Sequence, residues 1–190
     1  MKSVVEWIST PKDGETENGD LALVRKDEGN ATLLVVIDAL GHGPQAAAVA
    51  RAAATLVVES CFPAGALETI EALHERLRGT RGAAVLACLV AGHKLEACSV
   101  GNVEMRTWRA HLPIVLTPGI IGSQLRKPRV FGGELPDDDR VVVFTDGISA
   151  RFVLGDLRAL SAAETCKAIM KASRRAHDDA TVLVADFAGR

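Results

Sequence analysis

Residues 33–37, LLVVI, form an unbroken apolar run with no polar residue alternating through it. Such a β-branched and Leu-rich run predicts a strand over 32–38 buried on both faces. It stops on one carboxylate, Asp38, and is followed by the turn formers Gly41, His42, Gly43 and Pro44. The Ala-rich stretch 44–59 then reads as a helix, with Pro44 in a first turn that loses nothing by its missing N–H. Upstream, 4–9 and 21–26 read as short strands around a loop, TPKDGETENGD. Downstream, Leu67, Ile70, Leu73 and Leu77 recur at helical spacing before Gly79, a stop signal. From residue 82 the pattern predicts successive strands, turning first at Gly92-His93. Residues 113–139 are rich in Pro and Gly and read as irregular. RVVVF (140–144) is a further buried strand, SAAETCKAIMKASRRA (161–176) an amphipathic helix with Ala163, Cys166, Ile169 and Met170 inward, and ATVLVADF (180–187) a last strand. These elements predict one α+β domain over 1–190, with antiparallel strands and helices on the sheet faces.

Composition narrows the function. Hydrophobic residues make up 48% of the chain, enough for a sizeable core. Basic and acidic residues nearly cancel, 22 against 24, with no Lys/Arg tract to follow a phosphate backbone, and Tyr is absent. Nucleic acid is therefore not an expected partner. No apolar run is long enough to span a bilayer, and charge comes too early for a signal peptide. The four cysteines, at 61, 88, 98 and 166, form no CxxC pair and read as reduced thiols, most of them buried, in a cytoplasmic protein.

Carboxylates recur where strands end. Asp38 follows LLVVI, Asp146 follows VVVFT, Asp178 and Asp179 precede ATVLVADF, and Asp20 precedes LALVRKD. A single Asp after a strand is most often a turn former or a helix cap. Several at neighbouring strand ends would gather at one sheet edge, where mutual repulsion raises their pKa values unless cations bind. With no Lys or Arg beside them in sequence, an all-oxygen cluster points to hard divalent ions, Mg²⁺ or Mn²⁺.

The blocks GD (19–20), VIDALGHG (36–43), SVGN (99–102), FTDGI (144–148) and DDATVLVADF (178–187) occur in the order found in PPM-type, metal-dependent serine/threonine phosphatases. The chain resembles in particular the stage II sporulation E-like branch. Its length and its PKDGETENGD opening are most similar to the stressosome phosphatases of that branch. The resemblance implies a four-layer αββα sandwich of two antiparallel sheets flanked by helices. It implies two divalent ions, Mn²⁺ or Mg²⁺, with Asp38 bridging them. The backbone carbonyl of Ala39 would be a further ligand, Asp20 would complete one site, and Asp146 and Asp178 the other. Catalysis would rest on Asp38 and Asp146, and Asp179 would rank below Asp178 as a ligand. Where the family usually has Gly after the bridging Asp, this chain has Ala39. A carbonyl ligand survives that change, but a left-handed backbone there would not suit Ala.

The implied reaction is hydrolysis of phosphoserine or phosphothreonine by a metal-activated water, on phosphorylated STAS-domain proteins of a stress-signalling complex. It fits a chain with no evident Ser-His-Asp or Cys nucleophile. His42 is a candidate proton donor, although a structural His within a turn is the commoner case. Asn102 reads as a turn former. LRKPR (125–129), inside 113–139, is the candidate contact to a folded phosphoprotein, while SRR (173–175) reads as solvated surface. Two other readings remain. A non-catalytic relative that binds such a partner is favoured only by Ala39. A small-molecule phosphatase on another fold would need a DxDx(T/V) start, which is lacking.

Overall fold

Period-two alternation builds two sheets, and three helices cover their outer faces. The computed structural model describes residues 1–189. In chain order the strands are β1 (Lys2–Thr10), β2 (Asp20–Lys26), β3 (Thr32–Ala39), β4 (Ala83–Ala91), β5 (Lys94–Val100), β6 (Glu104–Thr107), β7 (Leu116–Thr117), β8 (Val130–Glu134), β9 (Asp139–Phe144) and β10 (Ala180–Ala188). The helices are α1 (Gly43–Glu59), α2 (Ala66–Arg76) and α3 (Ala162–Ser173). One sheet has the order β1-β10-β9-β6, the other β2-β3-β4-β5-β7, with β8 also paired to β5.

Each central strand sorts its side chains between two cores. On β3, Leu34 and Val36 face the opposite sheet while Leu33, Val35 and Ile37 face α1 and α2. On β10, Leu183, Ala185 and Phe187 enter the same inter-sheet core, and Val182 and Val184 pack under α3. The layers are thus helix, sheet, sheet, helix, the expected αββα sandwich. No helix is long and apolar enough to cross a membrane among the described residues.

Three sequence expectations change. The strands are not all antiparallel: β7 runs parallel to β5, pairing Leu116 with Ser99. The stretch 113–139 is not irregular throughout, since β8 adds to the edge of β5. Its two glycines hide this strand from propensity, yet a Cβ at Gly132 would strike the Leu95 carbonyl, so the close pairing requires glycine. In α3 the buried stripe is Ala162, Thr165, Cys166, Ile169, Met170 and Ser173, and Ala163 is only half-buried. The capping box between Ser161 and Glu164 starts the helix at Ala162 and so fixes that phase. Cys88, Cys98 and Cys166 are buried free thiols, and Cys61 is exposed.

The end of the sandwich where β9 begins is held by a buried cation. Arg140 is 7% exposed. Its Nε and Nη2 donate to the two Asp186 carboxylate oxygens at 2.6 and 2.8 Å. Its Nη1 reaches Thr165 Oγ1 at 2.7 Å, and Nη1 and Nη2 also bind the carbonyls of Leu157 and Leu160. One guanidinium thus ties β9, β10, α3 and the loop before α3. We expect Arg140→Ala to lower unfolding free energy by about 3 kcal/mol, because Asp186 and two carbonyls lose their donor. Urea denaturation measures this directly.

Candidate metal centre

Asp20 and Asp38 are direct partners across the β2–β3 ladder, in register with Ala22–Val36 and Val24–Leu34. Alternation therefore puts both carboxylates on the inter-sheet face, at positions that further along each strand hold apolar residues. Asp146 stands two residues past β9 and Asp178 two residues before β10, at the matching end of the other sheet. The strand ends thus converge as expected. Asp38, Asp146 and Asp178 line one open cleft of about 600 Å³, with Gly101, Asn102, Gly41 and His42. Asp20 is 3% exposed, buried beside Asp38, and does not line the cleft.

Hydrogen bonds hold these acids from behind. Thr145 Oγ1 donates to Asp20 Oδ2 at 2.6 Å and accepts from Thr181 N–H at 2.9 Å. Asn102 Nδ2 donates to Asp146 Oδ2 at 2.7 Å. The turn after Asp146 is seated by Arg106, which donates to the carbonyls of Ala150 and Phe152 and lies over the Phe144 and Phe152 rings. Gly147 packs so tightly that a Cβ would collide with the Asp179 carbonyl. Asn102 is therefore more than the turn former expected. Thr145 and Arg106 carried no sequence signal beyond Thr145 preceding Asp146.

Asp179 has a separate task. It is 3% exposed, and its carboxylate accepts the N–H of Lys12 at 2.7 Å and of Gly19 at 2.8 Å. It fastens both ends of the β1–β2 loop, the segment that delivers Asp20. Arg174 adds bonds to the Pro11 carbonyl and to Asp13. Arg175 donates to the Asp146 carbonyl at 2.9 Å. The SRR stretch is accordingly not plain solvated surface, and the acids are not without a cation. Because Arg175 stays exposed, its charge opposes the rise in the Asp146 pKa without cancelling it.

His42 caps the start of α1 without a side-chain capping bond. Its Nδ1 lies 2.8 Å from Glu15 Oε1 and its Nε2 3.0 Å from Lys12 Nζ. An ammonium only donates, so Nε2 accepts and Nδ1 carries the proton toward Glu15. In that tautomer no imidazole proton points at the cleft. Ala39 ends β3 with its N–H bonded to the Gly19 carbonyl at 3.1 Å. Positive φ at non-glycine residues occurs only at Asn30 and Asp138 among the described residues, so Ala39 needs no left-handed backbone. From the 113–139 stretch, Leu116, Pro118, Gly119 and Ile120 line the cleft, but Arg126, Lys127 and Arg129 do not.

Electrostatics fit a divalent cation. Burial first, then the charges of Asp146, Asp178 and Asp179, push the Asp38 pKa from 3.8 up to about 7. Burial and then Asp38 raise Asp20 well above the usual range, against the Thr145 hydrogen bond. Burial and then Asp178 raise Asp146. Among the described residues, no three His, Cys, Asp or Glu side chains already close around one point. The donor set is nonetheless all oxygen, crowded and anionic, which suits Mg²⁺ or Mn²⁺ and no soft metal.

The pH dependence follows. A carboxyl whose folded pKa is raised stabilises the fold below its unfolded pKa, and that contribution is lost as pH climbs through the folded value. For Asp38 the loss runs from about pH 4 to about pH 7. In EDTA we expect Asp38→Asn to melt higher than wild type, with a gap that is small near pH 4 and widest above about pH 7. Thermal melts across that range read the gap. A lower melting temperature for the variant at high pH would mean that Asp38 is a structural cap.

The fold and cleft can now be set beside known proteins. A family model for stage II sporulation protein E (SpoIIE) matches residues 28–188. No curated protein matches the chain. A solved structure described under "The bacterial stressosome: a modular system that has been adapted to control secondary messenger signaling" is 31% identical, with TM-score 0.89, over 97% of this chain and 100% of that one. RsbX in complex with magnesium superposes with TM-score 0.82 at 20% identity, over 97% and 94% of the two chains. The catalytic domain of the serine/threonine phosphatase PstP, in complex with two manganese ions, gives TM-score 0.71 at 17% identity, over 98% and 99%. The 161 matched residues run from the β2–β3 turn to the end of β10, so the chain belongs to the stage II sporulation protein E family and is built on the PPM-type phosphatase fold.

Proposed function

We propose that this protein is a metal-dependent phosphoprotein phosphatase that hydrolyses phosphoserine or phosphothreonine on STAS-domain stressosome proteins. The observation that carries the reading is the meeting of Asp38, Asp146 and Asp178 in one open cleft, with Asp20 buried behind them. The magnesium in complex with RsbX and the two manganese ions in complex with PstP support a divalent-ion requirement. The 31%-identical stressosome structure supports stress-signalling partners. The whole chain is read as one phosphatase domain acting in the cytoplasm.

Asp20, Asp38, Asp146 and Asp178, with the Ala39 carbonyl, would hold the divalent ions. When bound, the ions supply Lewis acidity toward phosphoryl oxygens and acidify water. The protein's own contribution is positional. Thr145 fixes the Asp20 carboxylate, and Asn102 leaves Asp146 one oxygen free of its bond. The net reaction breaks the bond between phosphorus and the serine oxygen, and water supplies both the new phosphate oxygen and the proton on serine. His42, engaged by Glu15 and Lys12, serves the turn rather than that proton transfer. A non-catalytic relative gains no support from Ala39, whose backbone is ordinary strand.

Hydrolysis of an aryl phosphate is expected to stop in EDTA and return with Mn²⁺, and full activity in metal-free buffer would overturn the reading. Asp146→Asn should cost more than about a hundredfold in turnover, since even partners behind a metal ligand are commonly worth about 10–100-fold. His42→Ala should keep at least about a tenth of wild-type activity, because loss of a general acid typically costs more, about 10²–10⁴-fold.

A further inference from the structure

The cleft has a second half that the carboxylates do not use. Leu40, Leu116, Pro118 and Ile120 supply its apolar lining. Leu40 and Leu116 are large apolar residues 40% and 39% exposed, an unfavourable state unless something covers them. They come from distant parts of the chain yet form one surface. Leu40 N–H donates to the Gly82 carbonyl at 3.0 Å, and a Cβ on Gly82 would run into Ile120 Cγ2. Ile121 is fixed to Ala83 by a pair of backbone bonds at 2.9 and 3.1 Å. On the far side, the parallel pairing of β7 with β5 buries Thr117 and turns Leu116 outward. Gly101 N–H donates to the Thr117 carbonyl at 2.9 Å, which sets this wall directly against Asn102 and hence Asp146.

Charge limits what the wall will accept. Among the described residues, no Lys or Arg lines the cleft. Arg81 stands behind Leu40, with its guanidinium bound to the Leu40 carbonyl and to Gln45. Arg175 is bound to the Asp146 carbonyl on the opposite side. A polar residue pressed on these apolar side chains would lose its water there, and an acidic one would also meet the carboxylates. The wall lines the same cleft as Asp38, Asp146 and Asp178, so a residue next to a phosphoserine held by the acids lies within reach of it.

We propose that the Leu40–Leu116–Ile120 wall is a specificity subsite, and that the substrate is a phosphoprotein carrying an apolar side chain immediately beside its phosphoserine. This rests on the phosphatase reading above. The test uses short phosphoserine peptides that differ only in the adjacent residue, Leu against its near-isostere Asn, with Mn²⁺ present. Hydrolysis is measured on wild type and on the double variant Leu40→Ser/Leu116→Ser. Binding of the same peptides is measured by fluorescence anisotropy on wild type and on Asp146→Asn.

In wild type, kcat/KM should favour the Leu peptide by about tenfold or more. In the double variant that ratio should fall to within about twofold. Because the ratio is taken within each protein, partial loss of folded enzyme does not mimic the effect. A ratio near one in wild type, or a ratio unchanged in the double variant, overturns the subsite. Absence of hydrolysis of both the peptides and the aryl phosphate, with a Leu preference retained in binding, would overturn the phosphatase reading and uphold the subsite. Absence of both hydrolysis and preferential binding would overturn both.

Discussion

Everything at the working end of this protein depends on one constraint: charge has been placed on the inter-sheet face of a rigid sandwich. Asp20 and Asp38 occupy the positions that continue Ala22, Val24, Leu34 and Val36 toward the strand ends. The strands cannot rotate to relieve the repulsion, because a slip of one residue would throw every apolar side chain to the wrong face. The carboxylates are thus held close by the same packing that stabilises the fold. Their high affinity for protons is the consequence in the absence of cations, and a divalent ion answers the same demand.

A site assembled from two sheets needs its connections fixed as firmly as its strands. The β1–β2 loop is fastened by Asp179 at both ends and by Arg174 along its course. The turn after Asp146 is held by Arg106 and by the close approach of Gly147 to Asp179. Thr145 joins the sheets outright, accepting from Thr181 on β10 and donating to Asp20 on β2. Asp179, Arg106 and Thr145 each spend their side-chain hydrogen bonds on backbone or carboxylate partners. The carboxylate end is consequently set by the fold and not by loose surface residues.

The cleft divides into an anionic half and an apolar half, and the two follow from different physical needs. On the phosphatase reading, the anionic half would meet a phosphoryl group only through cations, and it would treat any phosphomonoester alike. Discrimination has to come from the remaining walls. The basic residues Arg126, Lys127 and Arg129 do not line the cleft, while the short parallel strand β7 carries Leu116 into it.

Much of this architecture was legible in one dimension. The continuous apolar run of β3 announced a strand buried on both faces, those of β9 and β10 announced further strands, and the carboxylates at their ends announced a shared edge, because strand alternation and burial are local properties that the order of residues records. The blocks around Asp20, Asp38, Asp146 and Asp178 also identified the family. Pairings made across the chain were not legible. Residues 12 and 19 meet Asp179, residue 102 meets Asp146, and residue 145 meets Asp20 only once the sheets have stacked. The strand β8, with two glycines, and the two-residue β7 have no periodicity of their own and exist because β5 offers them an edge. Hydrophobic pattern determined which segments form the core, whereas the contacts that aim the carboxylates and shape the cleft were decided by tertiary packing, since hydrogen-bond partners more than a hundred residues apart leave no trace in local sequence.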